Sequence, residues 1–162
     1  MVTTIQISEE LKKELSKKKF SDRETYENII WDLLEDIMEL NVQTKKEIEQ
    51  SREEIKAGKV FTLAQIKKEL KTKWVLVILL YEVIFSQKAK KQLFKLEKVI
   101  QERIISALER IRIRPEAYIT KLVGDPGYKL RVGDYRVIMD IDKGKLLVLV
   151  IKIGHRRNIY EK

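Results

Sequence analysis

Cysteine is missing from the 162-residue chain, which excludes disulfides and thiolate metal sites and fits a reducing cytoplasm. Residues 1–8 lack the basic stretch and long apolar core of a secretory signal, and charge begins at Glu9. The longest apolar run, residues 74–85, is broken by Glu82 and falls short of the roughly 20 residues a membrane helix needs. Neither an HExxH pattern nor a carboxylate cluster at metal-ligand spacing is present, so no metal and no cofactor are expected. The expectation is a soluble, cytoplasmic protein, long enough for one ordinary domain or two small ones.

Excess charge is also missing from the first half. Residues 1–73 carry 15 basic and 15 acidic side chains, whereas residues 74–162 carry 19 and 10, so the whole net charge of +9 lies in the second half. A field of one sign suits a polyanion such as RNA or DNA, or an acidic partner surface.

In the first half, Val2, Ile5 and Ile7 alternate with Thr4, Gln6 and Ser8 at the period of a short half-exposed strand. Ser8 is placed to cap a helix from Glu9 to about Lys18, with Leu11 and Leu15 on one face. Ser21, Asp22, Arg23 and Glu24 read as a capping box for a second helix, in which Tyr26, Ile29, Ile30, Leu33, Leu34, Ile37, Met38 and Leu40 keep helical spacing. A unit of about 40 residues cannot bury these faces alone, which predicts a homodimer. One strand followed by two helices resembles the ribbon-helix-helix DNA-binding family. By that resemblance, Thr4 and Gln6 would read base edges of operator DNA, Ile5 and Ile7 would face the dimer core, and Ser21 would meet a phosphate. The plainer alternative is a helical dimerisation module.

Residues 42–73 read as an arm. The charged stretch 45–56 has isolated apolar positions at Ile48 and Ile55, and Gly58 suits the residue just past a helix end. Thr62 is placed to cap a last helix, residues 63–71, with Leu63, Ile66 and Leu70 on one side. So little apolar surface gains structure by lying on a partner.

The second half opens with a strand ending at Phe85, a helix capped by Ser86, and a second helical pattern stopped by Pro115. Residues 119–123 and the turn Gly124-Asp125-Pro126-Gly127 lead to a strand, residues 128–132, and then a hairpin, residues 133–160. Its second strand, from Leu146 to Ile153, is almost wholly apolar and must be central in a sheet. The order β, α, α, β, β, β, with KLVGDPGYKLRVGDYRVIMDI and VIKIGHRRNIY in sequence, resembles the RelE/ParE superfamily of type II toxins.

That resemblance implies a ribosome-dependent endoribonuclease, an mRNA interferase that inhibits translation by activating a 2′-hydroxyl against its own phosphodiester without a metal. It aligns Lys129 and Arg131 with two basic strand residues, Arg136 and Arg156 with phosphate-stabilising arginines, and Tyr160 with the terminal aromatic. Arg131 is too basic to take a proton, so the base lies between Lys129 and His155. Alternation puts Lys129 and Arg131 on one face, while the face of Arg136 is left to the structure. Asp134 reads as a turn residue.

The first half then reads as a RelB-like antitoxin that neutralises the toxin and represses its own operon. The expected fold class is α+β: a ribbon-helix-helix unit (residues 1–41), a helical arm (42–73), a junction (74–80) and a RelE-like antiparallel-sheet domain (81–162). Two alternatives stand beside this. One is a ParE-like gyrase inhibitor with no nuclease activity; the other is an inert fused toxin serving only as a DNA-binding repressor.

Overall fold

The computed structural model describes residues 3–19, 24–70 and 81–160. They belong to two compact units, Met1–Met38 and Glu39–Lys162.

In the first unit, helix α1 (Glu9–Ser16) begins where Ser8 accepts a hydrogen bond from the Leu11 N–H, as the sequence predicts. Helix α2 (Tyr26–Glu35) is capped differently. Thr25 accepts from the Asn28 N–H, while Ser21 lies outside the described residues. The helix also stops at Glu35, so the apolar spacing that continues to Leu40 is not helical to its end. Residues 3–8 form no strand. A lone strand has nothing to pair its N–H and C=O groups with, so alternation alone cannot fold it in a single chain. Ile5, Leu11, Trp31, Leu33, Leu34 and Ile37 are left exposed.

The second unit contains α3 (Val42–Lys56), β1 (Val60–Thr62), α4 (Leu63–Glu69), β2 (Glu82–Ser86), α5 (Gln87–Phe94) and α6 (Lys98–Ile111). After a 3₁₀ turn, Pro115–Ala117, come β3 (Ile119–Lys121), β4 (Tyr128–Val132), β5 (Tyr135–Asp142), β6 (Leu147–His155) and a second 3₁₀ turn, Arg156–Asn158. Gly58 follows α3 at a φ of 73°, the left-handed conformation that ends a helix without a Cβ clash. Thr62 and Gln65 form a reciprocal capping box for α4.

The strands form one sheet in the order β1-β2-β6-β5-β4-β3. The apolar strand β6 is internal, as expected, but its pairing with β2 is parallel. The crossover through α5 and α6 makes this possible, because a helix-containing connection returns the chain in the same direction. Two elements were not read from the sequence: β3, and β1, which adds a strand of the predicted arm to the sheet, antiparallel to β2. Residues 71–80, with the predicted junction, lie outside the described residues.

One face of this sheet is apolar. Val83, Phe85, Val137, Met139, Val148, Val150 and Ile153 pack with Ala89 and Leu93 of α5 and Ile104, Ile105, Leu108 and Ile111 of α6. Leu63 and Ile66 of α4 join the same cluster. Among the described residues, no helix is long and apolar enough to cross a membrane.

Candidate active site

The opposite face is cationic, and strand register builds it. Directly opposed residues share a face, and Arg131 of β4 pairs with Arg136 of β5, which pairs with Gly154 of β6. The neighbouring row runs Lys129, Ile138, Lys152. Arg136 therefore shares the face of Lys129 and Arg131. The two-residue turn Gly133-Asp134 sets this register, since Val132 pairs with Tyr135 across it, and Gly133 takes a φ of 59°.

Lys152 reaches this face through an irregularity. Ile138 pairs with Lys152 but Met139 pairs with Val150, so Ile151 is an extra residue in β6. Plain alternation from Val148 and Val150 would aim Lys152 into the apolar core; the bulge turns it and Gly154 to the cationic side.

Arg136 is 1% exposed, and its Nη1 donates to the carbonyls of Gly133 (2.7 Å) and Tyr135 (3.1 Å). The Arg156 N–H donates to the Asp134 carbonyl at 2.8 Å, and its guanidinium stands 3.5 Å from the Asp134 carboxylate. The turn Gly133-Asp134 thus holds both arginines. Burial and the charges of Arg136 and Arg156 push the pKa of Arg131 down to about 10. Three guanidinium groups crowded to this degree favour an anion among them.

Past β6 the chain folds back. A Cβ at Gly154 would lie 2.9 Å from Ile159 Cδ1, so glycine permits the close approach of the C-terminal turn. This approach carries buried Tyr160 to Lys129, whose Nζ lies 5.2 Å from the ring centroid. His155 is placed otherwise. It pairs with Tyr135, one position out of phase with Arg136, and the two rings meet edge-on at 5.5 Å. Its Nδ1 accepts from the Arg157 N–H at 3.3 Å, which assigns the proton of the neutral ring to Nε2 and makes that atom a donor.

Helix α3 packs on β6 and β2 and carries polar contacts to this side. Its cap, Asn41, accepts from the Thr44 N–H, and the Asn41 amide donates to the carbonyls of Asn158 (3.1 Å) and Tyr160 (3.3 Å). Leu40 forms a bridge with Tyr160. Arg52 forks between Asp125 and Asp140, with four hydrogen bonds of 2.7–3.0 Å. Glu47 accepts from Lys152 at 2.5 Å. The buried stripe of α3 is only Thr44, Ile48 and Ser51, so this helix is held chiefly by charge.

The fold and site define a small mixed-sheet domain with an arginine cluster on one face, Arg136 buried within it, and a preceding segment packed against the sheet. Residues 83–160 match the family of the ParE toxin of type II toxin-antitoxin systems, and this segment belongs to the RelE/ParE superfamily of toxins. The chain is also similar to solved structures. The intact RelBE toxin-antitoxin complex of E. coli shares 32% identity over 46% of this chain and 95% of that one, with a TM-score of 0.41. The isolated E. coli RelE toxin shares 29% over 51% and 86%, with a TM-score of 0.42. The archaeal RelE-RelB complex of Pyrococcus horikoshii shares 25% over 48% and 96%, with a TM-score of 0.41. No curated protein matches the chain.

Proposed function

We propose that the second half is a metal-independent endoribonuclease that cleaves mRNA on the ribosome, and that the first half is its antitoxin. The observation that carries this reading is the crowding of Arg131, Arg136 and Arg156 on the face that also presents Lys129. Attack by a 2′-hydroxyl on its phosphodiester builds negative charge on a five-coordinate phosphorus, and pre-placed guanidinium groups stabilise that charge without reorganising. Lys129 stands on this face and in its amine form takes the proton of the 2′-hydroxyl, and the departing 5′-oxygen is protonated by water. Tyr160 offers its ring to a base. A protein that acted on gyrase only by binding would have no need of this convergence.

In the covering role, the arm comprises α3, β1 and α4, and the exposed apolar side chains of the first unit support its pairing with a second copy. A paired ribbon of residues 3–8 would then present Thr4 and Gln6 to operator DNA, with Ser21 toward a phosphate. The decisive assay compares the full chain with a fragment beginning at Gly58, which lacks α3 but keeps β1 and α4, in ribosomal complexes. The fragment is expected to cleave mRNA and the full chain to be inhibited, with Arg136→Ala or Arg156→Ala abolishing cleavage. Intact mRNA together with blocked DNA supercoiling would overturn this in favour of a gyrase inhibitor.

A further inference from the structure

Strand β2 ends at Ser86, having paired as far as Phe85 with Val150, so β6 runs on beyond its neighbour. Helix α5 takes over that edge. The Ser86 hydroxyl donates to the Ile151 carbonyl at 2.9 Å, and Gln92 Oε1 accepts from the Ile153 N–H at 2.9 Å. With its oxygen engaged in this way, the Gln92 amide must turn its NH2 outward. That NH2 donates to Glu47 at 3.4 Å. Lys152 Nζ meets the same carboxylate at 2.5 Å, and Lys88 Nζ lies 3.7 Å from it. Three donors of the second half therefore converge on one carboxylate of α3. Lys152 is 5% exposed although it carries a charge, and its place was fixed by the bulge at Ile151. A second arm carboxylate follows on the same helix face, where Glu54 accepts from the Lys88 backbone N–H at 3.3 Å.

A buried lysine, a lysine at its rim and an amide locked by the backbone form an oxyanion site around the Glu47 carboxylate. Its place is one strand repeat, about 7 Å, from the row of Arg131 and Arg136. We infer that Lys152, Gln92 and Lys88 form a phosphate-binding subsite for the RNA strand, and that Glu47 occupies it while α3 covers the face. This rests on the nuclease reading above. It makes the arm a competitor for a substrate phosphate as well as a cover.

The test uses the full chain opened by Glu47→Gln with Arg52→Ala, and a short fluorescein-labelled 2′-O-methyl RNA, which cannot be cleaved, followed by anisotropy at low salt. Opening is expected to tighten binding by about tenfold or more over the unaltered chain. Adding Lys152→Gln should remove most of that gain, while Lys152→Arg should keep it, which separates charge from folding. No gain on opening, or a gain that survives Lys152→Gln, overturns the subsite. Arg136→Ala in the opened chain separates the two readings. If it weakens binding while Lys152→Gln does not, the nuclease face stands and the subsite falls; if neither substitution matters, both fall.

Discussion

The two helices of the arm meet the second half by opposite means. Helix α4 buries Leu63 and Ile66 in the common apolar cluster, at 2% and 0% exposure, and Lys67 pairs with Glu109 of α6. Helix α3 contributes Ile48 to the buried apolar residues, and otherwise relies on Arg52, Glu47 and the Asn41 cap. Apolar burial has no alternative partner in water, so α4 and β1 are part of the fold. Ion pairs can be exchanged for another ion, so on the proposed reading α3 is the part of the arm that a polyanion would displace. The arm thus joins a fixed segment to an exchangeable one.

The largest effect should come from breaking the fixed segment. Ile66→Ala removes a fully buried side chain from the cluster and is expected to cost about 2–5 kcal/mol, lowering the thermal midpoint of the whole second unit. Arg52→Ala should cost less, about 2 kcal/mol for lost charge-assisted hydrogen bonds, and should act locally. Amide exchange is expected to quicken across α3 and to stay slow in α4 and β6. Equal acceleration in all three would show the arm to be one cooperative element and end the contrast.

The smallest effect is that of pH. Burial disfavours the charged form of Glu47, but hydrogen bonds from Gln43 and Lys152 and the charges of Lys152 and Lys88 outweigh it, holding the carboxyl below its ordinary 4.5. Asp125 is likewise held below 3.8, where Arg52 and the Gly127 N–H outweigh burial. Because both folded-state values are depressed, the stabilisation is complete above the ordinary values and is lost as pH falls through the depressed ones. The opening constant of α3, taken as its exchange rate divided by the intrinsic amide rate at each pH, should therefore be constant from neutrality down to about pH 5 and rise below about pH 4, while that of α4 lags behind. A rise beginning near pH 6 would point to a different titrating group.

Much of the cationic face was legible because residue spacing survives folding. Lys129 and Arg131 lie two apart in a strand, and the Gly133-Asp134 turn returns the chain so that Arg136 faces Arg131. Alternation counted along the chain leaves the face of Arg136 open, and pairing across a two-residue turn decides it. His155 was legible as a polar group at a strand end, but not as one out of phase with the arginines. Lys152, Lys88 and Gln92 were missed for a different reason. Lys152 looks like an interruption in an apolar strand, and only the bulge at Ile151 turns it outward; Gln92 gains meaning from the open edge of β6 beside it.

What the sequence by itself determined were features closed within a few residues: the Ser8 and Thr62 caps, the left-handed Gly58 after α3, and the apolar run that makes β6 internal. Local hydrogen bonds and turn sterics suffice for these. The unpaired residues 3–8, the addition of β1 to the sheet and the parallel pairing of β2 with β6 were decided by tertiary structure. Each depends on a partner distant in sequence, or one that a single chain does not supply. The cover of α3 over the cationic face belongs with these, because its energy lies in pairs such as Arg52 with Asp140, 88 residues apart.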